Sequence, residues 1–113
     1  MTEKAFQSKL IKLIEKNNGY VVKFNASAIS KIGVPDLLAC INGKFVGLEV
    51  KKENGKPSEI QLWNIEQIKK SGGIAMVVKP SDYENVEKLI KKLGDDNNEQ
   101  RRNNNFVLWS RMW

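Results

Sequence analysis

The chain has 113 residues, 41% of them hydrophobic, which suits one α/β domain around a single modest core and leaves too little for two. It carries 19 Lys and Arg against 13 Asp and Glu, a net charge of +6, with one cysteine and no histidine. Those counts exclude imidazole acid/base catalysis, Ser-His and Cys-His nucleophiles, metal sites built on imidazole or on a thiolate cluster within one chain, and an internal disulfide.

Residues 2–17 predict an amphipathic helix, because Phe6, Leu10, Leu13 and Ile14 recur at helical spacing and Asn17-Asn18-Gly19 stops it. The same N-terminal stretch mixes charge with apolar residues and lacks the apolar run of a signal peptide. No run approaches the roughly 20 residues that cross a bilayer, so a soluble cytoplasmic protein with no membrane partner is expected. Residues 20–24 are aromatic and β-branched and predict a strand. Residues 25–33 are small and polar, a connection long enough to be functional. Two apolar runs, 36–41 and 44–51, flank Asn42-Gly43, the strongest hairpin signal in the chain. Ser58 with Gln61 three residues on forms a capping box that opens a helix ending near Gly72-Gly73. Residues 74–78 read as a short buried strand. Pro80-Ser81, with Glu84 three residues after the serine, opens a last helix through Val86, Leu89, Ile90 and Leu93, closed by Gly94.

The predicted order is therefore α-β-β-β-α-β-α, a small mixed sheet flanked by helices, with residues 58–71 long enough for a parallel crossover. A domain over 1–94, a polar linker over 95–105 and an aromatic tail over 106–113 complete the organisation. Arg101, Arg102 and Arg111 are balanced by Asp95, Asp96 and Glu99, so the whole positive excess belongs to the body. A polyanion such as nucleic acid fits that excess, and so does a merely solvated lysine-rich surface.

With Asn42 and Gly43 as a two-residue loop, Ile41 faces Lys44 and Asp36 faces Glu49. Opposed residues share a face with Cβ atoms about 4.5–5.5 Å apart, and Lys51 lies two residues further along it. Like charges placed so are destabilising unless a cation sits between them, and with no imidazole or thiolate set that cation is held by oxygen, as Mg²⁺, Mn²⁺ or Ca²⁺ is. Val46, Leu48 and Val50 alternate with Gly47, Glu49 and Lys51, giving one apolar and one charged face, with Gly47 leaving space beside the carboxylates. An edge hairpin whose charged face is only solvated remains the alternative.

Gly33-Val34-Pro35-Asp36, a short hairpin and Glu49-Val50-Lys51 resemble the PD-(D/E)xK nuclease superfamily. The wording GVPDLLAC, GLEVKK and KPSEIQLWNIEQIKKSGG resembles its virus-type replication-repair branch, the VRR-Nuc family, over about residues 3–80. The resemblance implies a restriction-endonuclease-like core and a Mg²⁺- or Mn²⁺-dependent deoxyribonuclease without a small-molecule cofactor. It implies DNA hydrolysis to 5′-phosphate and 3′-hydroxyl ends, on branched or flapped substrates such as Holliday junctions, by a homodimer of phage or prophage origin. Carried over, Asp36 and Glu49 become metal ligands with the Val50 carbonyl, Lys51 serves the attacking water, and Glu3 on the first helix completes the site. Glu3 is equally a first-turn carboxylate suited to the helix dipole. Gln61 matches a glutamine near such sites, but its capping-box role competes, since one side chain is not expected to reach both places.

Lys52 and Lys56 flank the site and are candidates for DNA-backbone contact, as is Lys31; Lys9, Lys12, Lys16 and Lys23 are more ordinary surface lysines. Trp63 suits core or dimer packing, Cys40 a small buried hydrophobe, and the tail with Trp109 and Trp113 an intersubunit or self-docking segment. A basic DNA-binding or scaffolding module without turnover is the alternative function, and a host-interaction protein using the tail a third.

Overall fold

The computed structural model describes residues 1–24 and 32–95. The expected linker beyond Asp95, the aromatic tail and Lys31 lie outside the described residues.

Helix α1 (Glu3–Lys16) begins where the Thr2 hydroxyl accepts from the Ala5 N–H at 3.0 Å, with Glu3 in the first turn and Lys16 in the last, both favourable to the helix dipole. It ends at Asn17, whose side-chain amide donates to the Leu13 carbonyl at 2.8 Å. Strand β1 (Tyr20–Lys23) follows, then β2 (Leu37–Ile41) and β3 (Lys44–Val50). Asn42 and Gly43 take φ values of 53° and 80°, the paired left-handed residues of a two-residue hairpin turn. The register is the expected one, Ile41 against Lys44 through Leu37 against Leu48. Helix α2 (Glu59–Lys70) crosses to β4 (Ile74–Val78), a short 3-10 turn (Pro80–Asp82) follows, and α3 (Tyr83–Asp95) closes the described body.

The four strands lie in the order β1-β2-β3-β4, antiparallel except for the parallel β3–β4 pair. Helices α1 and α3 cover one face. There Phe6, Leu10, Ile14, Val86 and Ile90 meet Leu37, Leu48 and Val50, each buried apolar side chain contributing about 1.5–3 kcal/mol. Helix α2 lies across β3 and β4 on the other face.

That second layer corrects several expectations. The charged face of β3 is not solvated, for every residue from Val46 to Val50 is buried and Glu49 is only 1% exposed. Gly47 does not leave room beside the carboxylates; a Cβ there would lie 3.1 Å from Ile68 and 3.2 Å from Pro35, which fill the space. Cys40 is exposed on the face of β2 opposite α1 and α3, where α2 packs mainly over β3 and β4. Trp63 points outward from α2 at 53% exposure and is not core. Ser81 caps no helix. Its N–H and hydroxyl are both held by the Glu53 carboxylate, at 2.6 and 3.1 Å, while Asp82 accepts from the Lys79 N–H. Gly94 is the penultimate residue of α3, within one residue of the expected end, and has a second role: a Cβ there would sit 2.7 Å from the Asn17 carbonyl, so the missing side chain lets α3 approach the end of α1.

Candidate active site

The hairpin's open end, opposite the Asn42-Gly43 turn, brings the sequence-predicted residues together. Asp36 stands just before β2, and its Oδ2 accepts from the Val50 N–H at 3.0 Å, so a side chain continues the ladder where strand pairing stops. Glu49 points to the opposite side of β3 from Leu48 and Val50, under the first turns of α2. Lys51 follows, its N–H donating to the Val78 carbonyl at 3.0 Å and its Nζ lying 3.5 Å from Glu49 Oε2.

Burial, first, and the neighbouring Asp36 carboxylate raise the Glu49 carboxyl from 4.5 to about 7, against an opposing pull from Lys51. Glu49 therefore holds a proton through much of the weakly acidic range. Its Oε1 is buried and has no hydrogen-bond partner among the described residues, a costly state for a carboxylate oxygen in the interior. A paired, all-oxygen donor set with one buried oxygen still open fits a hard divalent cation, which would take the place of the proton that Glu49 otherwise holds.

Gln61 resolves a conflict posed by its sequence. The side-chain Oε1 accepts from the Ser58 N–H at 2.8 Å, completing the capping box, while Nε2 donates to Glu49 Oε2 at 3.2 Å. The two ends of one amide reach both places, so the roles do not exclude each other. Gln61→Ala is expected to destabilise the protein by about 1–3 kcal/mol in urea denaturation, since it removes half a cap and a partner of a buried carboxylate.

Glu3 departs from its expected place. Its Oε2 accepts from the Lys52 N–H at 3.3 Å, because the first turn of α1 lies over the loop after β3 and satisfies the amide exposed there. Among the described residues no group of three or more acidic or thiol side chains is placed to hold a metal, so the carboxylates brought together are Asp36 and Glu49 without Glu3. Lys52 and Lys56 are exposed on the loop that follows. That loop is fastened at Lys52 by Glu3 and at Glu53 by Ser81.

Sequence reasoning missed Asn64. It is 5% exposed, and its Nδ2 donates to the carbonyls of Ile60 at 2.8 Å and Ile32 at 3.1 Å. The available signal was a polar residue three positions after Gln61 on the same helix face.

Solved structures with the same architecture include one described as a VRR_NUC domain. It is 31% identical in sequence with a TM-score of 0.60, covering 84% of this chain and 96% of that one. A VRR_NUC domain protein is 22% identical, with a TM-score of 0.61, covering 82% of this chain and 88% of that one. The Holliday junction resolvase Hjc of the archaeal hyperthermophile Archaeoglobus fulgidus is 18% identical, with a TM-score of 0.54, covering 67% and 66%. The latter two likenesses are of fold. No protein-family model matches the chain, and no curated protein matches it.

Proposed function

The chain belongs to the VRR-Nuc family, and from that premise we propose that it is a divalent-metal-dependent DNA endonuclease selective for branched DNA. The observation that carries this reading is the Asp36–Glu49 pair, with Lys51 alongside and one buried oxygen left without a partner among the described residues. Mg²⁺ or Mn²⁺ would be held by Asp36, Glu49 and the Val50 carbonyl; such an ion, when bound, lowers the pKa of water and neutralises charge on a phosphodiester.

The chain's own residues do the rest. Asp36 is held in place by the Val50 N–H, and Glu49 by Gln61 and Lys51. Lys51 orients the attacking water and steadies negative charge that develops on the phosphate. Lys52 and Lys56 hold the DNA backbone beside the scissile bond, where fixed cations replace counterions. Lys31 is assigned to the same backbone contact. A branched substrate offers two strands to cut, so a homodimer with two sites is part of the proposal, as is a phage or prophage setting. Among the described residues no helix is long and apolar enough to cross a membrane.

The test is a labelled four-way junction, a flap and a linear duplex, each incubated with Mg²⁺, Mn²⁺ or EDTA. Branched DNA should be cut with either metal and not in EDTA. Asp36→Asn should slow cutting about a thousandfold while junction binding persists. Tight binding without cutting in any metal would instead establish the basic binding module.

A further inference from the structure

Gln61 and Asn64 project from adjacent turns of the same face of α2, three positions apart. The first reaches Glu49 at the end of β3. The second spends both amide hydrogens on carbonyls, one within its own helix at Ile60 and one at Ile32, 32 residues earlier in the chain. Ile32 opens the segment Gly33-Val34-Pro35-Asp36, so this amide grips the chain just before it delivers the carboxylate.

The grip is built for close approach. Gly33 takes φ +84°, and a Cβ there would lie 2.8 Å from Asn64 Nδ2 and 2.9 Å from the Ile60 carbonyl carbon. Pro35 is fully buried and packs over the bare α-carbon of Gly47. Four residues after Ile32, Asp36 is tied to the Val50 N–H. The short segment is thus pinned to α2 at one end and to β3 at the other.

We propose that Asn64 is a positioning residue for Asp36: its amide fixes the loop that carries Asp36 while Gln61 fixes Glu49, so that one helix face sets the spacing of the two carboxylates. The catalytic consequence rests on the nuclease reading above; the geometric one does not.

Two variants separate positioning from mere stability. Asn64→Leu keeps the size and loses both donors. Asn64→Thr keeps a hydroxyl that can bond the Ile60 carbonyl one turn back but is too short to span to Ile32. Each is compared with the wild-type protein in the Mn²⁺ concentration giving half of the cation-induced rise in melting temperature, measured without DNA. Single-turnover cleavage of a four-way junction at saturating Mn²⁺, and junction binding in EDTA, complete the set.

In both variants the Mn²⁺ midpoint should rise about tenfold and cleavage should fall about 10- to 100-fold, the scale of ångström misplacement, with junction affinity within about twofold of wild type. Folded variants with wild-type Mn²⁺ midpoints would overturn the proposal. So would a defect confined to the leucine variant, which would assign the amide to the helix alone, or failure of both variants to fold, which would make Asn64 a folding determinant. A wild-type protein that takes up Mn²⁺ and cuts no DNA would sink the nuclease reading, while the variants' Mn²⁺ midpoints still decide the role of Asn64. A wild-type protein with no Mn²⁺ response overturns both.

Discussion

Lys51→Met is expected to lower the rate of junction cleavage about a thousandfold at saturating Mg²⁺ while leaving junction affinity within about twofold. Methionine keeps the length and much of the volume of the lysine stem, so packing is preserved and only the cation is lost. Two features set that cation apart from an ordinary surface lysine and support the expectation. Its side chain is 19% exposed, unlike the open lysines of the neighbouring loop, and its Nζ stands 3.5 Å from Glu49 Oε2. The backbone of Lys51 is also fixed, by its N–H on the Val78 carbonyl, so the side chain leaves the sheet in a determined direction. Single-turnover cleavage and equilibrium binding decide the matter together. A variant that cuts at more than about a tenth of the wild-type rate would remove Lys51 from the chemistry, and one that loses binding in proportion to cutting would make it a phosphate contact.

Metal-free protein should lose stability as the pH is raised from 5 to 8, and Glu49→Gln should abolish that loss. The Glu49 carboxyl sits at about 7 in the folded protein against 4.5 ordinarily. Below the lower value the carboxyl is protonated in both the folded and unfolded chain, and nothing changes. Between the two values the unfolded chain has released the proton while the folded one still holds it, so rising pH favours unfolding. Above the higher value the full penalty of a buried ionised pair is present, on the order of 3 kcal/mol, or roughly 10 °C or more in melting temperature for a domain of this size. Glutamine is neutral at every pH and can still accept from Gln61, so the variant should show a flat profile in this window and melt above the wild type at pH 8. Saturating Mn²⁺ at pH 8 should raise the wild-type melting temperature and leave the variant unchanged. A wild-type profile that is flat from pH 5 to 8 without metal would show that Glu49 does not bear this burden.

Much of this was legible because it depends on short-range chemistry. Asn42-Gly43 specifies a left-handed two-residue turn, the turn fixes the register, and the register alone sets Asp36 against Glu49 at the open end. Ser58 and Gln61 announce the start of α2 by a local bond pair. What the sequence hid lies in the third dimension. Alternation along β3 tells which residues share a face, but not that α2 would pack mainly over β3 and β4, burying Glu49 and leaving Cys40 exposed. Ser81 has a plausible local partner in Glu84, yet Glu53 takes both of its donors from 28 residues away. Gly94 reads only as a helix stop, and nothing local announces that Asn17 also lies against it. Gln61 could be read for a cap or for the site, but its double use needs Glu49 within reach of the amide's other end.

The bonds that build the site join distant parts of the chain: Glu3 to Lys52, Ile32 to Asn64, Asp36 to Val50, Glu49 to Gln61 and Glu53 to Ser81. No hairpin or helix taken alone holds both carboxylates, their supports and the lysine loop in register. Such non-local closures come only when the chain has committed to its complete topology. A site assembled this way is complete only in the folded chain, so on the nuclease reading a nascent or partly denatured molecule would be harmless to surrounding DNA. Competence to cut would then follow the native state.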